Sequence, residues 1–276
     1  MSSPFLILGR YCAILALFAA LHTFAAEEPL TLKWEKNMLR ISGPHIPGDY
    51  VEIWYLEAFC RSHSTHQQWD KTTIPHKTEL VSATPTKVKL RTTVEPTVVL
   101  DHEITSGPDS IDFKVTATNS GSAFVDVQWF QPCMRVDRFT GKKQKDYIEN
   151  GFIFTAEGLR KLTDLPREEE AIYKGGQVYV PKGVPLEDVN PRPISKVQPA
   201  NGLIGCFSQD NNKLLAMAWD DTQELFQGVI VCLHNDPRIG GLKTGESRSL
   251  HGKVYILPND PGLLLRRYNS DFPQKK

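Results

Sequence analysis

The sequence predicts an all-β protein, an antiparallel β-sandwich that ends in a short C-terminal helix. Apolar and polar residues alternate with a period of two through 88–94, 98–105 and 111–118, which is the pattern of strands with one buried face. Turn-forming residues at 107–109 and 119–122 separate these segments. Strands at this spacing are typical of a sandwich or barrel, and such short connections favour antiparallel neighbours.

The first 25 residues have the pattern of a secretory signal peptide. Arg10 is the only charge before Glu27, and 11–25 is nearly unbroken apolar sequence that ends in small residues. This stretch is shorter than the roughly 20 residues that a membrane-spanning helix needs. We therefore expect 1–25 to be removed, 27–273 to form a single β-sandwich domain, and the protein to be exported to the periplasm or the extracellular space. An uncleaved N-terminal anchor is the alternative.

Charge and composition argue against nucleic acid and membranes as partners of the protein. The chain has 32 basic and 32 acidic residues, and cleavage after residue 25 leaves 31 basic residues against 32 acidic ones. There is no basic excess to favour nucleic acid, and no second long apolar segment to favour a membrane. We expect no nucleic-acid partner, no membrane span in the mature chain and no cofactor, whereas the oligomeric state is left open.

Cysteine and histidine spacing gives little support to a metal site. An exported protein permits disulfides, and the four cysteines left after cleavage allow three complete pairings. These cysteines lie in apolar stretches and no two have metal-ligand spacing, so buried thiols or at most one bridge are favoured: Cys60, Cys133, Cys206 and Cys232. His63 and His66 have no third ligand at a standard spacing, and a solvated loop is the favoured interpretation.

The N-terminal part predicts a hairpin followed by a central strand. The hairpin covers 30–41, and 51–59 is apolar on both faces, as in a strand that is covered on both sides. Glu57 near the end of this strand needs a partner, because an unpaired buried carboxylate is costly. Arg61 or Lys77 could supply it.

The segment 125–138 is the feature around which we expect the fold to be organised. Its first half predicts a strand of the antiparallel meander, with alternate residues on one face: Val125, Val127, Trp129, Gln131 and Cys133. Pro132 should end the pairing, because it has no backbone N–H. The charged residues that follow should emerge beside Trp129: Arg135, Asp137 and Arg138. An aromatic ring, an amide and guanidinium groups suit a sugar or carboxylate site. The alternative is a core tryptophan before a charged loop.

The second half is less regular before it returns to strands. The segment 156–162 predicts one or two helical turns, and 181–199 holds five prolines without periodicity, which makes it a candidate lid or rim. We expect a hairpin of two buried strands over 203–219. We expect another apolar strand over 226–233, with His234 at a rim as the following turn begins.

The C-terminal segment predicts a last strand over 250–256 and a closing helix. Asp260 before Pro261 is an N-cap followed by proline at the first helical position. Apolar residues spaced by four follow, which gives a short amphipathic helix: Leu264, Tyr268 and Phe272.

Four stretches of the chain carry a resemblance to known proteins: 54–61, 75–79, 129–141 and 226–238. Over most of the mature chain the sequence resembles an uncharacterised family of exported bacterial proteins, and through it the galactose-mutarotase-like β-supersandwich domains. The resemblance implies carbohydrate handling, as sugar epimerisation, polysaccharide lysis or hydrolysis, or glycan binding. Mutarotases share a His acid and a Glu base that flank the sugar ring. That pair has no residue-by-residue match here, and fold alone is a poor warrant for function.

Three functions therefore stand open. The first is an exported carbohydrate-binding or accessory sandwich that uses Trp129, with Trp69 or Trp219 as further candidates, as its stacking surface. The second is a carbohydrate-active enzyme of the epimerase or lyase type, with a histidine near a carboxylate in a closed pocket. The third is a cell-envelope protein that binds a partner and has buried tryptophans and no pocket. No nucleophile elbow or phosphate-binding loop is present to decide between them.

The candidate site residues fall into two groups. The candidate acid–base residues are His76, His234 and Asp236, because a histidine with a nearby carboxylate can exchange protons. The candidate ligand-binding residues are Glu57, Arg61, Trp129, Gln131, Arg135, Trp219 and Arg238. Two of them, Arg135 and Arg238, could hold a carboxylate bidentately, as a uronic acid would require. They could equally pair with neighbouring aspartates.

Overall fold

The computed structural model describes residues 28–273, and the signal peptide expected over 1–25 lies outside the described residues. The strands in chain order are β1 (Thr31–Glu35), β2 (Met38–Ser42), β3 (Tyr50–Trp54), β4 (Phe59–Cys60), β5 (His76–Thr84), β6 (Lys87–Val94), β7 (Val98–Ser106), β8 (Ser110–Asn119), β9 (Trp129–Phe130), β10 (Cys133–Arg135), β11 (Gly151–Thr155), β12 (Gly158–Lys161), β13 (Gln177–Tyr179), β14 (Ile204–Phe207), β15 (Lys213–Trp219), β16 (Thr222–Gln227), β17 (Cys232–Pro237) and β18 (Ser247–Pro258). The helices are α1 (Trp69–Thr72), α2 (Asp137–Thr140), α3 (Glu169–Lys174) and α4 (Pro261–Asp271), with short 3₁₀ turns at Ser64–His66, Tyr147–Glu149, Leu162–Asp164 and Leu186–Asp188.

Two antiparallel sheets face each other across a continuous apolar core. A seven-stranded sheet has the order β1-β2-β3-β10-β17-β16-β13, and a nine-stranded sheet has the order β12-β11-β14-β15-β18-β8-β7-β6-β5. Both sheets contribute alternate side chains to the core, such as Ile53 and Leu225 from the first and Leu100 and Phe113 from the second. The predicted antiparallel sandwich is confirmed.

The predicted meander forms one half of the nine-stranded sheet. Strands β6, β7 and β8 pair in sequence, and β18 adds to β8 over its length. The closing helix is also confirmed as α4. The Asp260 side chain accepts a hydrogen bond from Leu263 N at 2.9 Å, which caps the helix. Leu264 and Phe272 pack against a second apolar cluster on the outer face of this sheet.

The segment 125–138 does not form a strand of the meander. Its first half pairs as β9 with β4, in a separate two-stranded sheet, and by isolated bridges of Val125 with Leu242 and of Trp129 with Arg238. Strand β10 lies between β3 and β17 in the seven-stranded sheet. The chain changes sheets at Pro132, where the sequence predicts that pairing stops. The expectation that the first half is a strand of the meander is wrong, because every residue of 125–133 except Asp126 is buried and its alternation does not mark an exposed face.

Three further expectations are corrected. The segment 226–233 is a hairpin, because β16 and β17 pair across a tight turn in which Gly228 N donates to Cys232 O at 3.0 Å. The predicted helical turn over 156–162 is instead β12, which pairs with β11 after Gly158 adopts a positive φ of 97°. The central strand expected over 51–59 ends at Trp54.

Period-two alternation gives the seven-stranded sheet two different faces. The inner face enters the core with Ile53, Met134, Leu225 and Leu233. The residues between them point away from the core, and we call this side the polar face. It carries Glu52 of β3, Cys133 and Arg135 of β10, Cys232, His234 and Asp236 of β17, and Glu224 of β16.

Within residues 28–273, no helix has the length and apolar character that a membrane crossing requires. The four cysteines of this part of the chain are free and buried.

Candidate functional site

A pair of buried carboxyl groups lies at the centre of the polar face. Glu224 and Asp236 are register partners on β16 and β17, and neither side chain is exposed. Glu224 Oε2 accepts a hydrogen bond from Asn190 N at 2.8 Å, and Asp236 Oδ2 accepts one from Gln131 Nε2 at 3.3 Å. Burial and the Asp236 carboxylate raise the pKa of Glu224 well above its ordinary value. Two facing carboxyls cannot both ionise cheaply in a low dielectric, so Glu224 holds a proton that it can donate to Asp236.

His234 lies beside this pair and is 2% exposed. Its Nδ1 atom is 3.7 Å from Asp236 Oδ1, and its Nε2 atom is 3.1 Å from Cys232 Sγ. The ring packs on Phe226 with centroids 5.1 Å apart. Burial lowers the pKa of His234, but the Cys133 and Asp236 side chains outweigh it and raise that pKa above its ordinary value.

A cavity of about 120 Å³ opens above His234. Its walls carry the polar side chains Glu57, Gln131, Asn190 and Arg192. Trp69 stands at the same cavity and is 39% exposed. The cavity therefore combines a carboxylate, two amides, a guanidinium and an imidazole with an accessible aromatic ring.

The cavity continues into two open depressions. One has a volume of about 590 Å³, shares Glu57 and Trp69 with the cavity, and also contains Arg61 and His76. The other, of about 450 Å³, shares Ile230 and is lined by charged side chains of the polar face: Glu52, Arg135, Asp137 and Arg138.

The proline-rich segment 181–199 forms the rim of this site, which agrees with its predicted role as a lid or rim. The carbonyl of Asp188 accepts hydrogen bonds from Trp129 Nε1 and from Gln223 Nε2, both at 3.0 Å. These bonds fix the segment so that Asn190 and Arg192 reach the cavity.

The structure brings together some of the residues selected from the sequence. Glu57, Gln131 and His234 line the cavity, and Asp236 lies directly behind Gln131 and His234. Three others lie in the neighbouring depressions, with Arg61 and His76 in one and Arg135 in the other.

The proposed partners of Glu57 are not confirmed. Lys77 pairs with Glu79 at 2.6 Å instead. No side-chain ion pair joins Glu57 to Arg61 within residues 28–273. The reason is that the strand ends before Glu57, whose side chain faces the cavity and is only partly buried.

Three selected residues do not take part in the cavity. Trp129 has no exposed surface, so it cannot stack on a ligand, and it holds Asp188 instead. Trp219 is a core residue that packs on Phe130 with centroids 5.5 Å apart. Arg238 Nη1 donates to Gln223 Oε1 at 3.2 Å rather than to a carboxylate.

His234 is also not at a rim, and Asp236 does not cap a turn. Both lie inside β17, and its burial on both faces places them beneath the cavity. The residues that the sequence did not select are Asn190 and Arg192. Their segment has no periodicity, and its prolines were the only signal that it crosses the site.

His76 is anchored away from the buried carboxyls. Its Nε2 atom is 3.2 Å from Leu56 O, and its ring packs on Phe59 with centroids 5.0 Å apart. The hydrogen bond to a carbonyl fixes the ring, so His76 serves the depression as a wall.

No protein-family model matches this chain, and no curated protein matches it. Several solved structures are similar to it in fold. They include the Slr1438 protein from Synechocystis sp. PCC 6803, with 11% identity, 85% of this chain and 98% of that chain covered, and a TM-score of 0.45. A galactose mutarotase-like protein from Lactobacillus casei ATCC 334 has 11% identity, covers 82% and 99%, and gives a TM-score of 0.43. Galactose 1-epimerase from Lactobacillus acidophilus NCFM has 8% identity, covers 84% and 99%, and gives a TM-score of 0.40.

At such identities and TM-scores the likeness says nothing about what this protein binds or catalyses. Any activity has to be argued from the cavity itself.

Proposed function

We propose that this protein binds one end of a sugar in the polar-face cavity and catalyses an acid–base reaction on it, as a sugar epimerase does. The observation that carries the proposal is the convergence of His234, backed by Asp236, and of Glu57 on one cavity. A carbohydrate-active enzyme with a histidine near a carboxylate is the second of the three functions that the sequence leaves open.

The lining suits a polyhydroxylated ligand. Each sugar hydroxyl both donates and accepts hydrogen bonds, and the amides of Gln131 and Asn190 can do the same. Trp69 can contact the apolar C–H face of a sugar ring, because it is the tryptophan exposed at the cavity. The predicted stacking role thus passes from Trp129 to Trp69.

The size of the cavity limits how much of the ligand enters. A volume of about 120 Å³ corresponds to roughly four water molecules at about 30 Å³ each. Such a space takes one edge of a sugar ring, and the rest of the ligand lies in the open depression that contains Arg61 and His76.

Ring opening of the sugar needs one base and one acid, and the cavity offers a candidate for each. Epimerisation at the anomeric carbon needs a base to take the proton of the O1 hydroxyl and an acid to protonate the ring oxygen. Glu57 is the candidate base, since it is a partly exposed carboxylate in the cavity wall. His234 is the candidate acid. Reclosure of the open-chain aldehyde from its other face returns both protons.

A non-catalytic glycan-binding protein is the second candidate. The charged depression at Arg135 and Arg138 favours it, because two guanidiniums beside the cavity could hold a carboxylate of a longer glycan. The partner-binding function has less support, since it predicts that no pocket is present.

We also propose that the protein acts after export. The signal-peptide pattern of 1–25 supports this proposal.

Ligand-observed NMR tests the binding step. The chain from Ala26 onward should bind neutral aldoses or uronic acids, and Glu57→Gln should weaken binding at least tenfold. Glu79→Gln is the matched control, because Glu79 is an exposed carboxylate on edge strand β5. A folded protein that binds no saccharide would end the sugar proposal.

A further inference from the structure

Two thiols and an imidazole meet on the polar face in a way that the acid–base proposal does not use. One ligand atom from each of Cys133, Cys232 and His234 lies within 4.8 Å of the other two, and all three side chains are buried. No local spacing indicates this cluster, because the first cysteine is distant from the other two residues in the chain.

The strand register explains how the cluster arises. Arg135 is the register partner of Cys232, so Cys133 lies two residues along β10 from that position. Such diagonal neighbours on adjacent strands are roughly 7–8 Å apart. Their sulfur atoms nevertheless approach each other, because both side chains project from the same face toward His234.

The same register disfavours a direct disulfide. Cysteines whose Cα atoms are more than about 7 Å apart cannot be bridged without backbone movement. An additional central atom removes this difficulty. Zinc binds thiolate sulfur at about 2.3 Å and imidazole nitrogen at about 2.0–2.1 Å, which places tetrahedral ligand atoms roughly 3.3–3.8 Å from one another.

We propose that Cys133 Sγ, Cys232 Sγ and His234 Nε2 bind a zinc ion, with its fourth coordination position open to the cavity. Cys232 and His234 both line that cavity, so a water or ligand oxygen can complete a tetrahedron. Two thiolates and one imidazole are the ligand types that zinc prefers. Binding releases the two thiol protons, and any proton on His234 Nε2, to solvent, so the two thiolates balance the charge of the ion.

Two neighbours of the cluster fit this assignment. Asp236 Oδ1 lies 3.7 Å from His234 Nδ1, where a carboxylate commonly orients a metal-bound histidine. Gly228 leaves space beside two of the proposed ligand atoms, because a Cβ at this position would collide with Cys232 Sγ and lie 3.3 Å from His234 Nε2.

Zinc binding and the proposed acid–base role exclude each other at His234. A metal ion on Nε2 takes the lone pair that proton transfer needs, so the loaded protein should be inactive as an epimerase. The inference rests on the cluster geometry and stands even if the cavity binds no sugar.

Cobalt substitution tests the site without any activity assay. Chelator-treated protein titrated with Co²⁺ should bind one equivalent and develop a near-ultraviolet thiolate-to-cobalt band, which one equivalent of Zn²⁺ then removes. Cys133→Ser and Cys232→Ser should each lose the band and at least 100-fold in affinity. Cys206→Ser is the matched control, since Cys206 is another buried thiol but lies in a different strand, β14.

A second readout uses the unchanged protein and so does not depend on the folding of any variant. One equivalent of Zn²⁺ should slow alkylation of Cys133 and Cys232 at least tenfold under partly denaturing conditions, and leave Cys206 unchanged, as measured by mass spectrometry. Cobalt binding without a thiolate band, or equal zinc protection of all cysteines, would overturn the proposal.

Discussion

His234 Nδ1 lies 3.7 Å from Asp236 Oδ1, and neither atom has a hydrogen-bond partner among residues 28–273. The two side chains are two residues apart on β17, so both project from the polar face. One polar atom of the imidazole and one of the carboxylate therefore remain available to hydrogen-bond to a bound group.

The protonated state of Glu224 can be tested through stability. Folded Glu224 keeps a proton that the unfolded chain releases near the ordinary pKa of 4.5. The contribution of Glu224 to wild-type stability therefore falls as pH rises above about 4.5, by up to about 1.4 kcal/mol per pH unit. Glu224→Gln keeps the size and the hydrogen-bond donor but does not titrate, so it should be more stable than wild type at pH 7.

Urea denaturation from pH 4 to pH 7 measures this difference, with Glu79→Gln as the exposed control. The advantage of Glu224→Gln should vanish near pH 4.5. A variant that is less stable than wild type at every pH would show that Glu224 is ionised in the folded protein.

Trp69 and Trp129 should respond in opposite ways to substitution. Trp129→Phe loses the hydrogen bond to Asp188 O and should cost about 1–3 kcal/mol of stability. The bond from Gln223 Nε2 to Asp188 O remains and still anchors the rim segment, so the saccharide affinity of this variant should stay within threefold of wild type. Trp69→Ala removes an exposed ring, so its stability should change by less than about 0.5 kcal/mol while affinity falls at least tenfold.

Denaturation curves and NMR titrations on the same two proteins separate these effects. Loss of saccharide binding in a folded Trp129→Phe protein, together with normal binding by Trp69→Ala, would return the stacking role to Trp129.

His102 gives a prediction for acidic pH. It is buried in the core, where Nδ1 contacts Tyr55 Oη and Nε2 contacts Thr92 Oγ1, each at 3.2 Å. Burial lowers the pKa of His102 to about 3 from 6.5. Between these two pKa values His102 binds a proton in the unfolded chain but not in the folded chain. Its contribution to stability is therefore lost as pH drops from about 6.5 to about 3.

His102→Gln removes this pH-dependent contribution to the stability of the protein. It should be less stable than wild type at pH 7 by about 1–3 kcal/mol. Because the wild type loses about 1.4 kcal/mol per pH unit below 6.5, the gap should close and then reverse as pH falls toward 3.5. Thermal unfolding at several pH values measures the gap. If the gap is the same at pH 7 and pH 3.5, His102 does not titrate in the way that its burial implies.

Export can be tested at the N-terminus. The full chain expressed in a bacterium should be recovered outside the cytoplasm beginning at Ala26 or Glu27, as determined by mass spectrometry. Recovery of the protein with residues 1–25 attached, in the membrane fraction, would support the uncleaved anchor instead.

The strands that could be predicted from the sequence are those with one face in the core and the other face outside it. Strands β6, β7 and β8 alternate because solvent or the outer layer meets one side and the core meets the other. Strand β17 is buried on both faces, so 226–233 shows no alternation, and Gly228 alone gave too little signal of the turn. His234 was therefore expected at a rim, although it lies inside a strand.

The site was harder to predict than the fold because its pieces are distant in the sequence. Gln131 and His234 were selected for their chemistry, but their proximity depends on β10 lying between β3 and β17, a pairing that no local pattern reveals. The same pairing brings Cys133 to Cys232. Asn190 and Arg192 come from a segment that has no period to interpret.

Exchange of sugar anomers tests the central claim most directly. Saturation of the α-anomer proton of an aldose in the NMR spectrum should transfer to the β anomer faster when the metal-free protein is added. Glu57→Gln and His234→Asn should each lower that rate at least 100-fold, and Glu79→Gln should leave it unchanged. Binding without faster exchange for any aldose or uronic acid would contradict the epimerase proposal and leave a saccharide-binding protein.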